Sequence, residues 1–166
     1  MTGVSVTVDS AEVDRALRAM AARLGDLHPA MELIGKAMVT EKDFGFNAEA
    51  DPWGNSWAKL SAVTMGRRRG TSAQILRDTG IMQNSITFDA GKNSVVVGTN
   101  EPRARTHQFG AKQGAYGRTK RGGPIPWGDI PRRAMLPLDK AGDIDMPPDH
   151  IETILDILRG HLERHG

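Results

Sequence analysis

The sequence contains no cysteine. That excludes disulfides and thiolate metal sites and removes any sign of a secreted disulfide framework. Long apolar runs are missing too: nothing approaches the roughly 18 consecutive apolar residues of a membrane span. The opening segment carries Asp9, Glu12, Asp14 and Arg15 where a signal peptide would be apolar. The expectation is a soluble, cytosolically made protein without membrane contact. Catalytic signatures are equally absent: no phosphate-binding Gly-rich loop followed by Lys-Ser/Thr, no nucleophile elbow, no dinucleotide fingerprint. Asp143 and Asp145 lie close together, yet no calcium loop continues from them. His161 and His165 stand four apart without the Glu of a zincin between them, and they read as solvated imidazoles at a helix end, where positive charge suits the dipole. No catalytic, metal or cofactor site is therefore expected, and the chain reads as a non-enzyme.

Aromatic residues are scarce at 5%, and they are unevenly placed. Phe44, Phe46, Trp53 and Trp57 fall in one irregular stretch from 44 to 70, among Asp51, Pro52, Gly54 and Asn55. Such a cluster reads as an anchor holding a loop onto the core. Charge of one sign is also modest overall, at a net +2, but concentrated. Eight Arg or Lys lie between Arg103 and Arg133, at 103, 105, 112, 118, 120, 121, 132 and 133, and a second cluster is Arg67-Arg68-Arg69. Runs of this kind are either solvated loops or faces for nucleic acid or an acidic protein surface.

What is present suits one domain. A chain of 166 residues buries roughly 70% of its unfolded surface, enough for a core without staples. Residues 4–8 alternate as a short strand, and Asp9 with Glu12 forms a capping box for a helix striped by Val13, Leu17, Met20, Ala21 and Leu24. Pro29 starts a second helix, whose buried face is Met31, Ile34, Met38 and Val39. Leu76 and Thr79-Gly80-Ile81-Met82 open a short helix that runs into Ile86, and two strands, Ser85–Phe88 and Ser94–Gly98, follow around a turn at 89–93. A further short helix carries Ala104, His107, Gln108 and Phe109 and ends at Gly110. Residues 111–128 hold five Gly and two Pro among Lys and Arg, and read as a long flexible basic loop. Ile130–Leu138 is extended and proline-bounded, suiting an edge strand. The last helix, capped by Asp149, has the stripe Ile151, Ile154, Leu155, Leu158 and Leu162. The expected fold is α+β: an antiparallel sheet of about four strands packed by two N-terminal helices and the C-terminal one.

Several local motifs follow one another along the chain: Asp51-Pro-Trp-Gly-Asn-Ser-Trp-Ala-Lys-Leu60, Ile75-Leu-Arg-Asp-Thr-Gly80 with Ser85-Ile86, Val95-Val-Val-Gly-Thr-Asn100, His107-Gln-Phe-Gly110, and Ile130-Pro-Arg-Arg133. This series resembles the phage virion morphogenesis family, the tail-completion proteins of Mu-like and P2-like phages, over about Phe44 to Leu138. Where the family favours a small residue, Arg and then Pro-Phe after Ile-Pro, this chain has Arg132-Arg133-Ala134-Met135, a less apolar segment. The motif residues Trp53, Gly54, Trp57, Thr79, Gly80, Gly98, His107, Gln108, Phe109 and Gly110 take structural roles in this reading. Thr79 caps the short helix and Gly80 permits close packing. Gly98 avoids obstructing a neighbour or turn. His107 and Gln108 satisfy backbone groups of the 130–138 segment, and Phe109 packs beneath it.

The resemblance implies a virion building block that completes the tail and joins it to the head as a homo-oligomeric ring, expected to be a hexamer, assembled in the host cytoplasm. Its partners would be copies of itself, neighbouring tail-tube, terminator or connector proteins, and packaged DNA in the lumen. Arg103, Arg105, Arg118, Lys120, Arg121, Arg132 and Arg133 are the candidate subunit or DNA contacts. A tail terminator or head-side stopper is the nearest alternative. A free nucleic-acid-binding protein is the alternative from another class, because Tyr116 and Trp127 interleave with the 103–133 basic region as a stacking site would.

Overall fold

The computed structural model describes residues 26–68 and 73–165. The strand expected over 4–8 and the helix expected after Asp9 lie outside the described residues.

Helix α1 spans His28–Ala48, with Pro29 in its first turn, where a missing N–H leaves no bond unmade. Its buried face is Ala30, Met31, Ile34, Gly35, Met38, Lys42 and Phe46; Val39 is only half-buried. The helix runs on through Phe44 and Phe46, which the sequence assigns to an irregular stretch. Phe46 is in the core and Phe44 is exposed. Termination falls to Glu49, in the left-handed conformation (φ 52°) that glycine usually supplies. Its carboxylate accepts the Ile75 N–H at 2.6 Å, and its carbonyl accepts the Trp57 N–H at 2.7 Å.

A short helix α2, Ala62–Gly66, is capped by Ser61, whose hydroxyl accepts the Thr64 N–H. Helix α3, Ile81–Asn84, leads into β1, Ile86–Ala90, which pairs antiparallel with β2, Val95–Thr99. The register sets Ile86 opposite Thr99, Phe88 opposite Val97 and Ala90 opposite Val95, so these residues share one face. That face packs on α1, where a Cβ on Gly35 would overlap the Phe88 ring. Helix α4, Ala104–Phe109, and helix α5, Pro148–His165, complete the elements.

Among the described residues the sheet has two strands, not about four. The 130–138 segment is extended but is not an edge strand: among the described residues its only strand-type pairings are the single bridges Ala111–Ile130 and Leu138–Ile144. Pro131 and Pro137 have no N–H to donate, and the N–H groups of Arg133, Met135 and Leu136 go to α4. Helix α5 begins one residue before Asp149, which sits in its first turn and accepts the His150 N–H at 3.0 Å. Its inward side is His150, Ile154, Ile157, Leu158 and His161, while Ile151 and Leu155 are exposed. His161 is therefore a core residue and not a solvated helix end. Packing on α1 selects the side of α5 that includes both histidines, with His150 Nε2 3.9 Å from Glu41.

Candidate interaction site: a clamped strut and a basic finger

The shared motifs converge on the extended segment 130–138, which acts as a strut through the core. Gln108 on α4 is 4% exposed and holds it by three bonds. Its Oε1 accepts the Met135 and Leu136 N–H groups at 2.8 and 3.1 Å, and its Nε2 donates to the Leu136 carbonyl at 2.8 Å. An amide side chain alone offers both acceptor and donor in that geometry. From the other side, Trp57 Nε1 donates to the Ala134 carbonyl at 3.0 Å, and the indole meets Phe46 edge-on at 5.2 Å between centroids. The aromatic cluster thus anchors its loop, as expected, through Trp57 and Phe46.

The Asp51–Ser56 turn that presents Trp57 is organised by Asp51, whose carboxylate accepts the Trp53 and Asn55 N–H groups. Gly54 occupies a left-handed position there (φ 83°). Gly110 ends α4 with φ 75°, and a Cβ on it would lie 2.9 Å from the Ile130 carbonyl oxygen; no other residue fits. Phe109 lines one open surface recess together with Ile130, Pro131 and Arg132.

His107 contributes differently from expectation. Its backbone carbonyl accepts the Arg133 N–H at 2.7 Å, while its ring Nδ1 is buried with no hydrogen-bond partner among the described residues. Burial, and secondarily the Arg133 and Arg103 charges, hold its pKa below the ordinary 6.5. Two further motif roles need correction. The cap position of α3 is Gly80, in a left-handed conformation (φ 73°), with Thr79 Oγ1 at a long 3.5 Å from the Ile81 N–H. Backbone conformation, not close packing, requires Gly80. A Cβ on Gly98 would meet nothing within 4 Å, so steric obstruction does not explain that glycine.

The seven cationic candidates divide sharply. Arg133 is 6% exposed, and its guanidinium donates to the Ala58 and Lys59 carbonyls at 2.9 and 3.1 Å. It ties the strut to the Trp57 loop and offers no surface contact; burial lowers its pKa, yet a guanidinium stays charged. Arg132 donates to the Gln108 and Leu138 carbonyls and lies 5.5 Å from the Trp53 ring centroid, a cation–π arrangement. Arg103 is exposed but bonded to Glu101 at 2.6 Å; that bond foremost lowers the carboxyl pKa of Glu101. Arg105, Arg118, Lys120 and Arg121 are exposed.

The last three stand on residues 111–130, of which the sequence reads 111–128 as a flexible loop and which the structure arranges as a bonded finger. Reciprocal Ala111–Ile130 bonds close its base, where Lys112 also meets Asp129 at 2.7 Å. The pairs Gly114–Pro126, Tyr116–Ile125, Ile125–Gly117 and Thr119–Gly123 tie its two sides. Arg118 donates to the Gly122 carbonyl at the tip, and the Tyr116 hydroxyl reaches Thr106 on α4 at 2.8 Å. Sequence reasoning missed this ladder because backbone-to-backbone bonds across Gly and Pro leave no side-chain periodicity.

Among the described residues no group of three or more His, Asp or Glu could hold a metal ion, and no helix is long and apolar enough to cross a membrane. The chain is 29% identical over 153 residues to the Mu-like prophage FluMu G protein 2 of Haemophilus influenzae, covering 92% of this chain and 99% of the relative. No solved structure matches. The profile of the phage virion morphogenesis family matches residues 8–163, which takes in the Trp57 loop, the hairpin, the Gln108 clamp and the strut, and this chain belongs to that family.

Proposed function

We propose that this protein is a structural component of a tailed-phage virion that completes the tail and joins it to the head as a ring of identical subunits. The observation that carries this reading is the convergence of Trp57, Gln108, Gly110 and Arg133 on the strut. These motif residues do no chemistry; they build a rigid frame from which the 111–130 finger projects. A frame that presents a projection suits assembly, where binding geometry is the whole task and no turnover is required. Ring closure demands heterologous contacts, two different patches meeting between like subunits.

The division among the arginines bears on the nucleic-acid alternative. Arg132 and Arg133 already bond to backbone inside the fold, and Arg103 is paired with Glu101. Binding to random DNA through a 103–133 stripe would thus rest on few cations, with correspondingly weak salt dependence. Cryo-EM of the parent virion tests the assembly reading: density for this chain should form a closed ring at the tail end nearest the head. Density at a terminator or stopper layer would move it along the same axis, and its absence from the particle would overturn the reading.

A further inference from the structure

Among the described residues two apolar features stand open to solvent. One is a cavity of about 330 Å³ between α1, β2, the strut and α5, lined by Met31, Met38, Val95, Leu136, Ile144 and Met146. Ile144, 75% exposed, stands at its mouth. A volume of this size lies at the lower end of pockets that take a ligand, about 300–1,000 Å³. The other is on the finger, where Trp127 is 75% exposed beside exposed Tyr116 and Ile125. Trp is prominent among residues that anchor protein interfaces when seated in an apolar pocket.

The charges around these features are opposite. The finger carries Lys112, Arg118, Lys120 and Arg121 against Asp129. The cavity's own lining is balanced by Glu41 and Lys42, and the chain that brings Ile144, Met146 and His150 to it, 139–152, carries Asp139, Asp143, Asp145, Asp149 and Glu152 against Lys140. Like fingers would repel one another, as would like mouths, whereas finger and mouth attract. This is the pair of unlike, complementary patches that head-to-tail association needs.

We infer that the 111–130 finger of one subunit docks in the α1–β2–α5 cavity of the next copy, with Trp127 seated against Met146 and Ile144 and the basic tip facing the Asp143–Asp145 rim. The inference rests on the ring reading above and names its contact. Trp127 supplies buried area; Lys120 and Arg121 set orientation and encounter rate.

Because the chain has no cysteine, disulfide trapping reports only the thiols introduced. Gly128→Cys and Asp145→Cys are exposed positions, and nothing surrounds a Cβ at 128. The double variant, oxidised at the highest attainable concentration, should give a ladder of covalent multimers. An equimolar mixture of the two single variants should stop at dimers. A control pair, Gly128→Cys with Lys92→Cys, should give none. Adding Lys120→Glu and Arg121→Glu to the double variant should reduce trapping about tenfold, and Asp143→Lys should restore part of it.

Lysine-reactive cross-linking of the unsubstituted chain reports self-association through any surface. Multimers there without a disulfide ladder would overturn the finger–cavity contact and leave the ring reading standing. No multimer by either route, with no ring in the virion, would overturn both. Slow thiol labelling of dilute Ile144→Cys would place another part of the same chain over the mouth and also overturn the inference.

Discussion

Gln108 and His107 are neighbours on α4 with opposite consequences for stability. Removing the Gln108 amide strands two backbone N–H groups and one carbonyl of the strut in the core, and each unsatisfied buried group costs about 1–3 kcal/mol. Partial relaxation should leave Gln108→Ala about 3 kcal/mol less stable in urea unfolding. Gln108→Glu should be destabilised too, and more so at high pH, since an ionised carboxylate there is buried and sets its second oxygen against the Leu136 carbonyl. His107 makes stability depend on pH. Its folded pKa lies below the ordinary 6.5, so between those values the unfolded chain holds more protons. Its contribution is therefore complete above about pH 6.5 and is lost as pH falls through the folded value. The urea midpoint should drop between about pH 7.5 and about pH 5, and His107→Gln should flatten that slope. An unchanged slope in the variant would assign the pH dependence to other groups. At Gly110 the constraint is steric and conformational together: Gly110→Ala meets φ 75° and the Ile130 carbonyl at once, and should cost at least about 1–2 kcal/mol.

At the scale of elements, local chemistry was legible and orientation was not. The β1–β2 hairpin follows from a turn with Gly91 and Asn93 between apolar runs, and α4 from its stop at Gly110, because both signals lie within a few residues. The end of α1 was illegible because Glu49 takes a left-handed position that composition assigns to glycine, and a distant contact with Ile75 holds it there. The existence of α5 was plain from its apolar spacing. Its inward side was not, since burying His150 and His161 in place of Ile151 and Leu155 depends on what α1 presents. The α1–β1 contact shows the same dependence. Gly35 within a helix looks merely unfavourable, yet Phe88 occupies the space a side chain would need. Gly35→Ala gains helix propensity of about 1 kcal/mol but must push the hairpin off the helix, an overpacking cost of about 1–3 kcal/mol. The variant should be net destabilised, with a lower melting temperature, and Phe88→Leu in the same chain should recover part of the loss.

Across the whole molecule, the motif residues were identifiable one by one, but their meeting was not. Trp57 and Ala134 are 77 residues apart, Arg133 and Ala58 75, Gln108 and Leu136 28. No periodicity encodes such distances, so Arg132 and Arg133 read as surface charges when they are ties of the strut. The finger carries three of the four exposed candidate cations together with exposed Tyr116 and Trp127, and the division of labour is testable on the intact chain. The finger closes on itself through backbone bonds and touches the body at its base and through Tyr116 to Thr106. Little core apolar surface lies within it. Replacing residues 112–123 by a short Gly-Ser linker should therefore leave the melting temperature nearly unchanged, since the Gln108 clamp and both apolar clusters stay intact. Far-UV circular dichroism and a thermal scan would check that half. The same chain, supplied in place of the native protein during phage growth, should give heads and tails that fail to form a stable junction, read as a loss of infectious titre. A destabilised fold would show that the finger belongs to the frame; full titre with an intact fold would show it to be a passive insertion.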